Sequence, residues 1–341
     1  MWPLAGHSQG VTRRRCPALA LVLALAGLLL AEAPPGATAQ VATVDVRTDV
    51  QYGTADGKPL LLDAYIPPAK REQKRPAVLL IHGGAWRAGD KRTFEPEARE
   101  VAAKGWVAFS INYRLDESPA FPAEIDDAQT AVRWVRSHAA EYRVDPKRIG
   151  ALGESAGGHL TGMLATLGEG SQEVGARIRV GVSWSGPMDL AELARMRGDD
   201  WGTTLFGCSF AACPQRFADA SPITHVDGSD APLFLVNSSD ELVPKSQALG
   251  MATRIEDKGA VTQLQTLPGT RHALDYRDEV WPQTELFLQT YLGGEGNGTS
   301  PGTIAFAVTV GVMLAASVVA ALVWRRHHRP EPARPPSPVA A

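Results

Sequence analysis

A serine framed by glycines, Gly153-Glu154-Ser155-Ala156-Gly157, is the strongest chemical signal in the sequence. A serine hydroxyl is a weak nucleophile at neutral pH. It needs a neighbouring base, a group that orients the base, and donors for the oxyanion that forms. Residues 148–152, just before this motif, have the pattern of a short strand, and residues 156–167 that of a helix. A Gly-x-Ser-x-Gly turn between a strand and a helix predicts a nucleophile elbow with Ser155 at its tip.

The segment His82-Gly83-Gly84 is the candidate source of oxyanion donors. It follows a continuous apolar run, residues 76–81, which is typical of a strand buried on both faces of a parallel sheet. The glycines allow backbone N–H groups of this turn to face the site. We predict an oxyanion hole formed by the N–H groups of Gly83, Gly84 and Ala156.

The candidate base is His272, chosen by elimination among the eight histidines. The others lie near the chain ends, in the glycine turn, on a helix, one turn past Ser155, or before the strand that should carry the acid. They are His7, His82, His138, His159, His225, His327 and His328. His272 follows the last predicted strand, residues 261–267, at the edge where parallel sheets place active-site loops. It also obeys the chain order serine, acid, histidine.

The acid that orients the base should follow the predicted strand at residues 232–237. Asp240 and Glu241 both lie in the next loop, and either carboxylate can orient an imidazole. Asp240 is the predicted acid, with Glu241 as the alternative. We expect the side chain of Glu154 to point into the fold as a buried structural carboxylate.

The elements that must position these residues alternate between strand and helix patterns from about residue 40 to residue 292. Such alternation predicts the α/β class, with a mostly parallel central sheet and helices on both faces. Residues 190–219 interrupt the alternation and are predicted to form a small cap-like insertion over the site. We therefore expect one catalytic domain over residues 40–292.

The cap-like insertion holds Cys208 and Cys213, while the third cysteine, Cys16, lies in a segment that we expect to be removed. Two nearby cysteines in an exported protein predict a disulfide. Neither cysteine has the ligand spacing of a zinc site, so no metal is expected.

The N-terminal residues 1–39 have the pattern of a signal peptide. Arg13, Arg14 and Arg15 precede an uncharged apolar run at residues 18–31, and Ala37-Thr38-Ala39 is a small-x-small cleavage site. The run is short for a spanning helix. We expect the mature chain to begin at Gln40, by an export route that stays open between the general and twin-arginine pathways.

The C-terminal residues have the pattern of a membrane anchor. A Gly-rich linker at residues 293–302 leads to residues 303–324, which contain no charged side chain. This stretch is long enough to cross the hydrocarbon core as a helix. Arginines open the Pro-rich tail at residues 325–341, and positive charge marks the cytoplasmic side. The pattern predicts a single-pass cell-membrane protein with an extracytoplasmic catalytic domain and a cytoplasmic C-terminus.

The composition excludes some classes of partner. The net charge is −3 and the central body has no dense run of Lys or Arg, so nucleic acid is not an expected partner. Nothing in the motifs implies an organic cofactor. The sequence leaves the oligomeric state open.

Together the motifs resemble the α/β-hydrolase esterases. The segments that carry the resemblance are His82-Gly83-Gly84-Ala85-Trp86, Asn112-Tyr113-Arg114, Gly153 to His159, Ser239-Asp240-x-x-Val243-Pro244, and His272. The branch that looks most similar is the bacterial group of hormone-sensitive-lipase-like carboxylesterases, feruloyl-esterase-like proteins and kynurenine formamidases. Many lipase-like members have a third glycine where this chain has Ala85, which brings it nearer to the other two groups.

The resemblance covers roughly residues 44–292 and implies the α/β-hydrolase fold. It implies Ser155, Asp240 and His272 as the catalytic triad, and an oxyanion hole from the turn glycines and Ala156. The expected function is a serine hydrolase that cleaves carboxylic esters of small molecules through an acyl-enzyme. Two alternatives remain: an arylformamidase-type amide hydrolase on the same triad, and a catalytically silent binding module at the cell surface.

Overall fold

The computed structural model describes residues 43–68, 74–115, 121–168, 170–172, 174–198 and 206–293. The predicted signal peptide, membrane anchor and cytoplasmic tail lie outside these residues, as does the linker beyond Gly293. Among the helices of the described residues, none combines the length and apolar composition that a membrane span requires.

The centre of the fold is an eight-stranded sheet with the order β1-β2-β4-β3-β5-β6-β7-β8. The strands are β1 Asp45–Ala55, β2 Lys58–Ile66, β3 Arg75–Ile81, β4 Val107–Ile111, β5 Val144–Glu154, β6 Val180–Trp184, β7 Leu233–Ser238 and β8 Thr262–Leu267. The pairings of β1 with β2 and of β2 with β4 are antiparallel, and all the other pairings are parallel. The mostly parallel sheet expected from the sequence is therefore present.

Helices cover the sheet on both faces. They are α1 Glu95–Ala103, α2 Ala123–Ser137, α3 Ala139–Tyr142, α4 Ala156–Leu167, α5 Leu190–Arg197, α6 Pro214–Asp219, α7 Lys245–Asp257 and α8 Arg277–Leu292. The apolar pattern of residues 122–142 predicts a single helix. The structure divides it at His138, whose backbone leaves helical geometry (φ −100°, ψ 13°), and then ends the second piece in a left-handed Arg143.

Two hydrophobic cores lie on the two faces of the sheet. Strand β3 contributes Ala77, Leu79 and Ile81 to the face covered by α2, α4 and α7. It contributes Val78 and Leu80 to the face covered by α1 and α8. Successive side chains of a strand point to opposite faces, so a strand buried on both sides needs a continuous apolar run. The loops at the carboxyl ends of the central strands all emerge at one edge, between the two cores.

Candidate active site

Ser155 lies in a sharp turn between β5 and α4. Its backbone has φ 51° and ψ −117°, and its N–H donates to the carbonyl of Trp184 at the end of the neighbouring strand, over 2.7 Å. A positive φ is costly for a residue with a Cβ, and such strain persists where the surrounding structure enforces it. The nucleophile elbow predicted from the sequence has the expected geometry.

Backbone strain is concentrated around Ser155. Eight non-glycine residues within the described part of the chain have positive φ. Five of them follow strand ends at the same edge of the sheet: Ala85, Trp86, Ser155, Ser185 and Ala273. Strained backbone clusters at functional sites because it aims groups that relaxed turns would not. The distribution marks this edge as the site independently of the motifs.

Close packing of backbone explains the glycines around Ser155. A Cβ on Gly157 would lie 1.9 Å from the carbonyl oxygen of Ile81, and a Cβ on Gly153 would lie 2.1 Å from the carbonyl oxygen of Gly157. Both contacts are with backbone, which cannot swing away as a flexible side chain can. The elbow therefore brings helix α4 against the end of β3 at a distance that only glycine permits.

We expect Gly157→Ala to lower the free energy of unfolding by more than about 3 kcal/mol, because α4 must move away from β3. The matched control is Gly250→Ala in α7, where the nearest atom to a new Cβ is the side-chain Cδ1 of Ile223, at 3.7 Å. That change should be neutral or stabilising by up to about 1 kcal/mol, because alanine favours helix. Urea unfolding measures both. Equal stability of the two variants would contradict this account of the elbow.

His272 and Glu241 form a close pair at the carboxyl ends of β7 and β8. The Nδ1 of His272 hydrogen-bonds to Oε2 of Glu241. The Glu241 side chain has no exposed surface, while that of His272 is 24% exposed. A buried carboxylate on Nδ1 fixes the orientation and tautomer of an imidazole and leaves Nε2 for chemistry.

The other carboxylate oxygen of Glu241 is held by three donors. Its Oε1 accepts hydrogen bonds from the Ser185 hydroxyl at 2.8 Å, the Asn237 side-chain amide at 3.0 Å and the Ser238 backbone N–H at 2.7 Å. A carboxylate has the lone pairs for such an arrangement. The three donors fix the carboxylate plane and leave Oε2 directed at His272.

Asp240, the acid predicted from the sequence, is not the carboxylate that contacts His272: Glu241, the alternative, makes that contact. Its side chain is exposed and accepts a hydrogen bond from the hydroxyl of Ser239 at 2.6 Å. The chain turns immediately after β7, and this turn directs Asp240 outward and brings Glu241 back under the sheet edge. The backbone N–H of Asp240 donates to the carbonyl of Gly269, 3.0 Å away, in the loop that leads to His272.

His272 also lies near the nucleophile elbow. Burial raises the pKa of the carboxyl of Glu154, the residue before Ser155, against the opposing effects of the hydrogen bond from the Gly83 N–H and of nearby His272. Ser155 follows β5, Glu241 follows β7 and His272 follows β8, so parallel strands bring the three loops to one edge.

Glu154 corrects one predicted member of the oxyanion hole. The carboxylate of Glu154 is buried, as expected from the sequence, and its Oε1 accepts the N–H of Gly83 at 2.6 Å. A Cβ on Gly83 would lie 2.5 Å from that oxygen, so a larger residue here would displace the carboxylate. The N–H of Gly83, predicted from the sequence as an oxyanion donor, is therefore already engaged by Glu154 in this structure.

The remaining candidate donors are the N–H groups of Gly84, Ala85 and Ala156. Gly84 has φ 109° and Ala85 φ 54°, and the turn is closed by N–H groups of Arg87 and Ala88 on the carbonyl of Gly84. Ala156 opens helix α4, and first-turn N–H groups have no acceptor inside a helix. Ala85 was not a sequence-based candidate, because nothing in the sequence reveals which amide of the turn Glu154 engages.

A third hydrophobic cluster joins the cap-like insertion to the site. Leu190 and Ala194 of α5 and Phe217 of α6 pack with Trp86 and Ala156. The described parts of the insertion, residues 190–198 and 206–219, thus contact both the glycine turn and the residue after Ser155. Cys208 and Cys213 lie beside this cluster, and their Cα atoms are 6.2 Å apart, a separation that a disulfide can bridge.

His159 of α4 hydrogen-bonds to Trp86, which follows the glycine turn, and to Ala220, the residue directly after the insertion. Its Nδ1 accepts from Nε1 of Trp86 at 3.2 Å, so the ring proton is on Nε2, which donates to the carbonyl of Ala220 at 2.7 Å. Both contacts suit a neutral ring. Burial lowers the pKa of His159 to about 4. This structural role agrees with the sequence analysis, in which His159 was not chosen as the base.

We expect the stability of the protein to fall by about 3 kcal/mol through His159 as the pH drops from 6.5 to 4. Between these values the unfolded chain binds a proton that the folded ring excludes, so acid favours unfolding. His159→Gln keeps an acceptor and a donor without titrating. The free energy of unfolding, measured with urea across this pH range, should therefore fall less steeply with decreasing pH in the variant. His82 and Glu154 titrate in both proteins and cancel in the difference. Parallel curves would contradict the prediction.

The residues that support Glu241 could not be recognised from the sequence. Ser185, Asn237 and Tyr276 are all buried and touch the pair or its loops, yet each lies in an ordinary stretch of strand end or short helix. Their contacts with the pair and its loops form only because the strands that carry or precede them are neighbours in the sheet. Among the described residues, no group of three histidine, cysteine or acidic side chains is arranged to hold a metal ion.

Comparison with known proteins agrees with this architecture. The family described as BD-FAE matches residues 62–255. The curated "Probable carboxylic ester hydrolase LipM" of Mycobacterium tuberculosis is 32% identical over 282 residues, which are 74% of this chain and 63% of that protein. "Esterase LipQ" of the same organism is 30% identical over 244 residues, 67% of this chain and 57% of that protein.

Solved structures share the fold. A truncated form of a carbohydrate esterase from gut microbiota superposes with a TM-score of 0.62 at 25% identity, over 72% of this chain and 98% of that one. The fold is thus an α/β-hydrolase fold. The chain spans only about three fifths of the length of LipM and LipQ. Since the family match covers more than half of its residues, the chain belongs to the BD-FAE family.

Proposed function

We propose that this chain hydrolyses carboxylic esters of small molecules, with Ser155 as nucleophile, His272 as general base and Glu241 as the acid that orients the base. The observation that carries the proposal is the buried Glu241 carboxylate on Nδ1 of His272, at the sheet edge where Ser155 occupies a strained elbow. The names of LipM and LipQ, a carboxylic ester hydrolase and an esterase, support the same reaction class.

In the first half-reaction, Ser155 Oγ attacks the ester carbonyl carbon while Nε2 of His272 takes the hydroxyl proton. Glu241 holds the Nδ1–H and stabilises the positive ring that forms. The carbonyl oxygen becomes an oxyanion, which the N–H groups of Gly84, Ala85 and Ala156 receive. The bond to the alcohol then breaks, and His272 returns the proton to the leaving oxygen.

In the second half-reaction, a water molecule attacks the acyl group on Ser155. His272 takes one proton from the water and gives it to Ser155 Oγ as the acyl–oxygen bond breaks. The acid product leaves and the enzyme is restored. The same groups act twice, which is why a single set of donors and one base are sufficient.

The test is hydrolysis of p-nitrophenyl esters, from acetate to decanoate, together with labelling by a fluorophosphonate probe. We expect ester hydrolysis and one covalent adduct, on the peptide that contains Ser155. Formanilide serves as the comparison substrate. Faster cleavage of formanilide than of every ester would reassign the activity to the amide alternative. A folded protein that neither turns over nor reacts with the probe would reject hydrolysis altogether.

We also propose that the protein is exported and held by a single C-terminal membrane anchor, with the catalytic domain outside. The support is the sequence pattern of residues 1–39 and 303–324. A disulfide between Cys208 and Cys213, whose Cα atoms lie 6.2 Å apart, would fit an oxidising compartment.

A further inference from the structure

Ser185, which follows β6, occupies the same kind of backbone position as Ser155. Its φ is 52°, and its N–H donates to the carbonyl of Val236 on the next strand at 2.7 Å. Ser155 makes the equivalent contact one strand earlier, to the carbonyl of Trp184. A buried serine with positive φ costs about 1–3 kcal/mol of strain. A glycine would avoid that cost, so the side chain of Ser185 is the feature to explain.

The hydroxyl of Ser185 joins the loops that carry Glu241 and His272. Its oxygen lies 2.8 Å from Oε1 of Glu241, 3.0 Å from the N–H of Ala273 and 2.7 Å from the phenol oxygen of Tyr276. Ala273 is the residue directly after His272. One buried hydroxyl therefore contacts the acid and the backbone that carries the base.

Counting protons gives the direction of each bond. A serine hydroxyl has one proton and two lone pairs. The carboxylate of Glu241 only accepts, so the Ser185 proton is directed to Oε1. The two lone pairs then receive the N–H of Ala273 and the phenol proton of Tyr276. The phenol oxygen also lies 3.1 Å from the carbonyl oxygen of Val236, so its one proton is shared between the two acceptors. Burial raises the pKa of Tyr276, so the phenol keeps its proton. The hydroxyl of Ser185 is fully used.

We propose that Ser185 is a positioning residue for the general base: its hydroxyl fixes the Glu241 carboxylate and the backbone after His272 in the geometry needed for proton transfer from Ser155. The proposal rests on the proposed function and adds a residue to it. Ser185 acts through Glu241 and the His272 loop, so its loss should reduce turnover without changing substrate affinity.

The strand offers a matched control. Ser183 lies two residues earlier in β6 and is equally buried. Its hydroxyl has no hydrogen-bond partner among the residues that the structure describes. Ser183→Ala therefore removes a buried hydroxyl two residues before Ser185 without removing a contact to the catalytic loops.

The experiment compares Ser185→Ala, Ser185→Gly and Ser183→Ala with wild type in the full-length chain, by the pH dependence of kcat and KM on p-nitrophenyl acetate. We expect both Ser185 variants to lose about 10- to 100-fold in kcat, the range of a hydrogen bond to a charged group. KM should stay within about 3-fold. The acid limb of the profile should move to higher pH, because a carboxylate that has lost a donor holds a positive imidazole more strongly.

The glycine variant separates the hydroxyl from the backbone, because glycine accepts a positive φ without strain. Equal losses in Ser185→Gly and Ser185→Ala, with Ser183→Ala within about 2-fold of wild type, would support the proposal. A loss in the alanine variant alone would overturn it, since the hydroxyl would then be dispensable. The proposal would also be overturned if both Ser185 variants kept the wild-type kcat and an unmoved acid limb of the pH profile.

A second measurement does not depend on activity. The Nδ1–H of His272 should give a downfield proton NMR resonance, assigned by its absence in His272→Gln. In Ser185→Gly this resonance should shift or disappear, and in Ser183→Ala it should remain. An unchanged resonance in Ser185→Gly would overturn the positioning role. If wild type hydrolyses no ester, the proposed function fails, and this spectrum still decides the role of Ser185.

Discussion

Ser155→Ala should lower kcat for ester hydrolysis by about 10⁴- to 10⁶-fold, with the protein still folded. The substitution removes the only atom that can form the acyl-enzyme in the proposed reaction. It leaves the elbow backbone, and its strain, as they are. The N–H of residue 155 still reaches the carbonyl of Trp184. The measurement is kcat for p-nitrophenyl acetate, with far-ultraviolet circular dichroism and urea unfolding as checks on the fold.

The double variant Ser155→Ala/His272→Gln makes the test sharper. Residues that act as one unit are strongly non-additive, so the double variant should be no slower than the slower single variant. Ser137→Ala, at an exposed serine of α2, is the control and should keep wild-type activity. If the loss of kcat in the double variant equalled the product of the two single losses, Ser155 and His272 would act independently. A wild-type kcat in Ser155→Ala would remove Ser155 from the mechanism.

Glu241→Gln should lower kcat by about 10³- to 10⁴-fold. The substitution keeps size and shape but exchanges one oxygen for an amino group. Three donors converge on the position of Oε1, so the remaining oxygen of the glutamine must lie there. The amino group then faces Nδ1 of His272 and forces that nitrogen to accept. The ring proton moves to Nε2, which can no longer take the proton of Ser155.

The matched control is Asp240→Asn, one residue earlier in the same loop. Asp240 is exposed, so kcat should stay within about 3-fold of wild type. The pH dependence of kcat/KM for both variants completes the measurement, because a base held in the wrong tautomer loses rate at every pH. A large loss in Asp240→Asn with little change in Glu241→Gln would restore Asp240 as the acid.

The contrast between these two acids marks the limit of sequence reasoning in this site. The strand that precedes the loop could be predicted as residues 232–237, close to the observed β7, because a continuous apolar run between polar turns is a strong signal. The direction in which each side chain points beyond the strand could not be predicted from the sequence. It depends on the turn at Ser239 and Asp240, which is set by contacts to the His272 loop rather than by local sequence.

The oxyanion hole has the same limit. The motif His82-Gly83-Gly84 predicted a turn with donors, and the turn is present. Which donor remains available was decided by Glu154, a carboxylate 71 residues later in the chain that engages the N–H of Gly83. A contact at that sequence separation leaves no local pattern, since it exists only when β3 and β5 are neighbours.

The sequence by itself determined the α/β class, the alternation of strands and helices, the elbow at Ser155 and the candidacy of His272. These follow from apolar periodicity, glycine spacing and chain order, all of which can be recognised without knowing which strands are neighbours. Only the tertiary structure decided that Glu241 pairs with His272, and that the N–H of Gly83 is engaged by a carboxylate. It also decided that Ser185 joins the loop of Glu241 to the loop of His272. The physical reason is that each of these depends on hydrogen bonds between strand ends that are distant in the chain and become neighbours only when the parallel sheet forms.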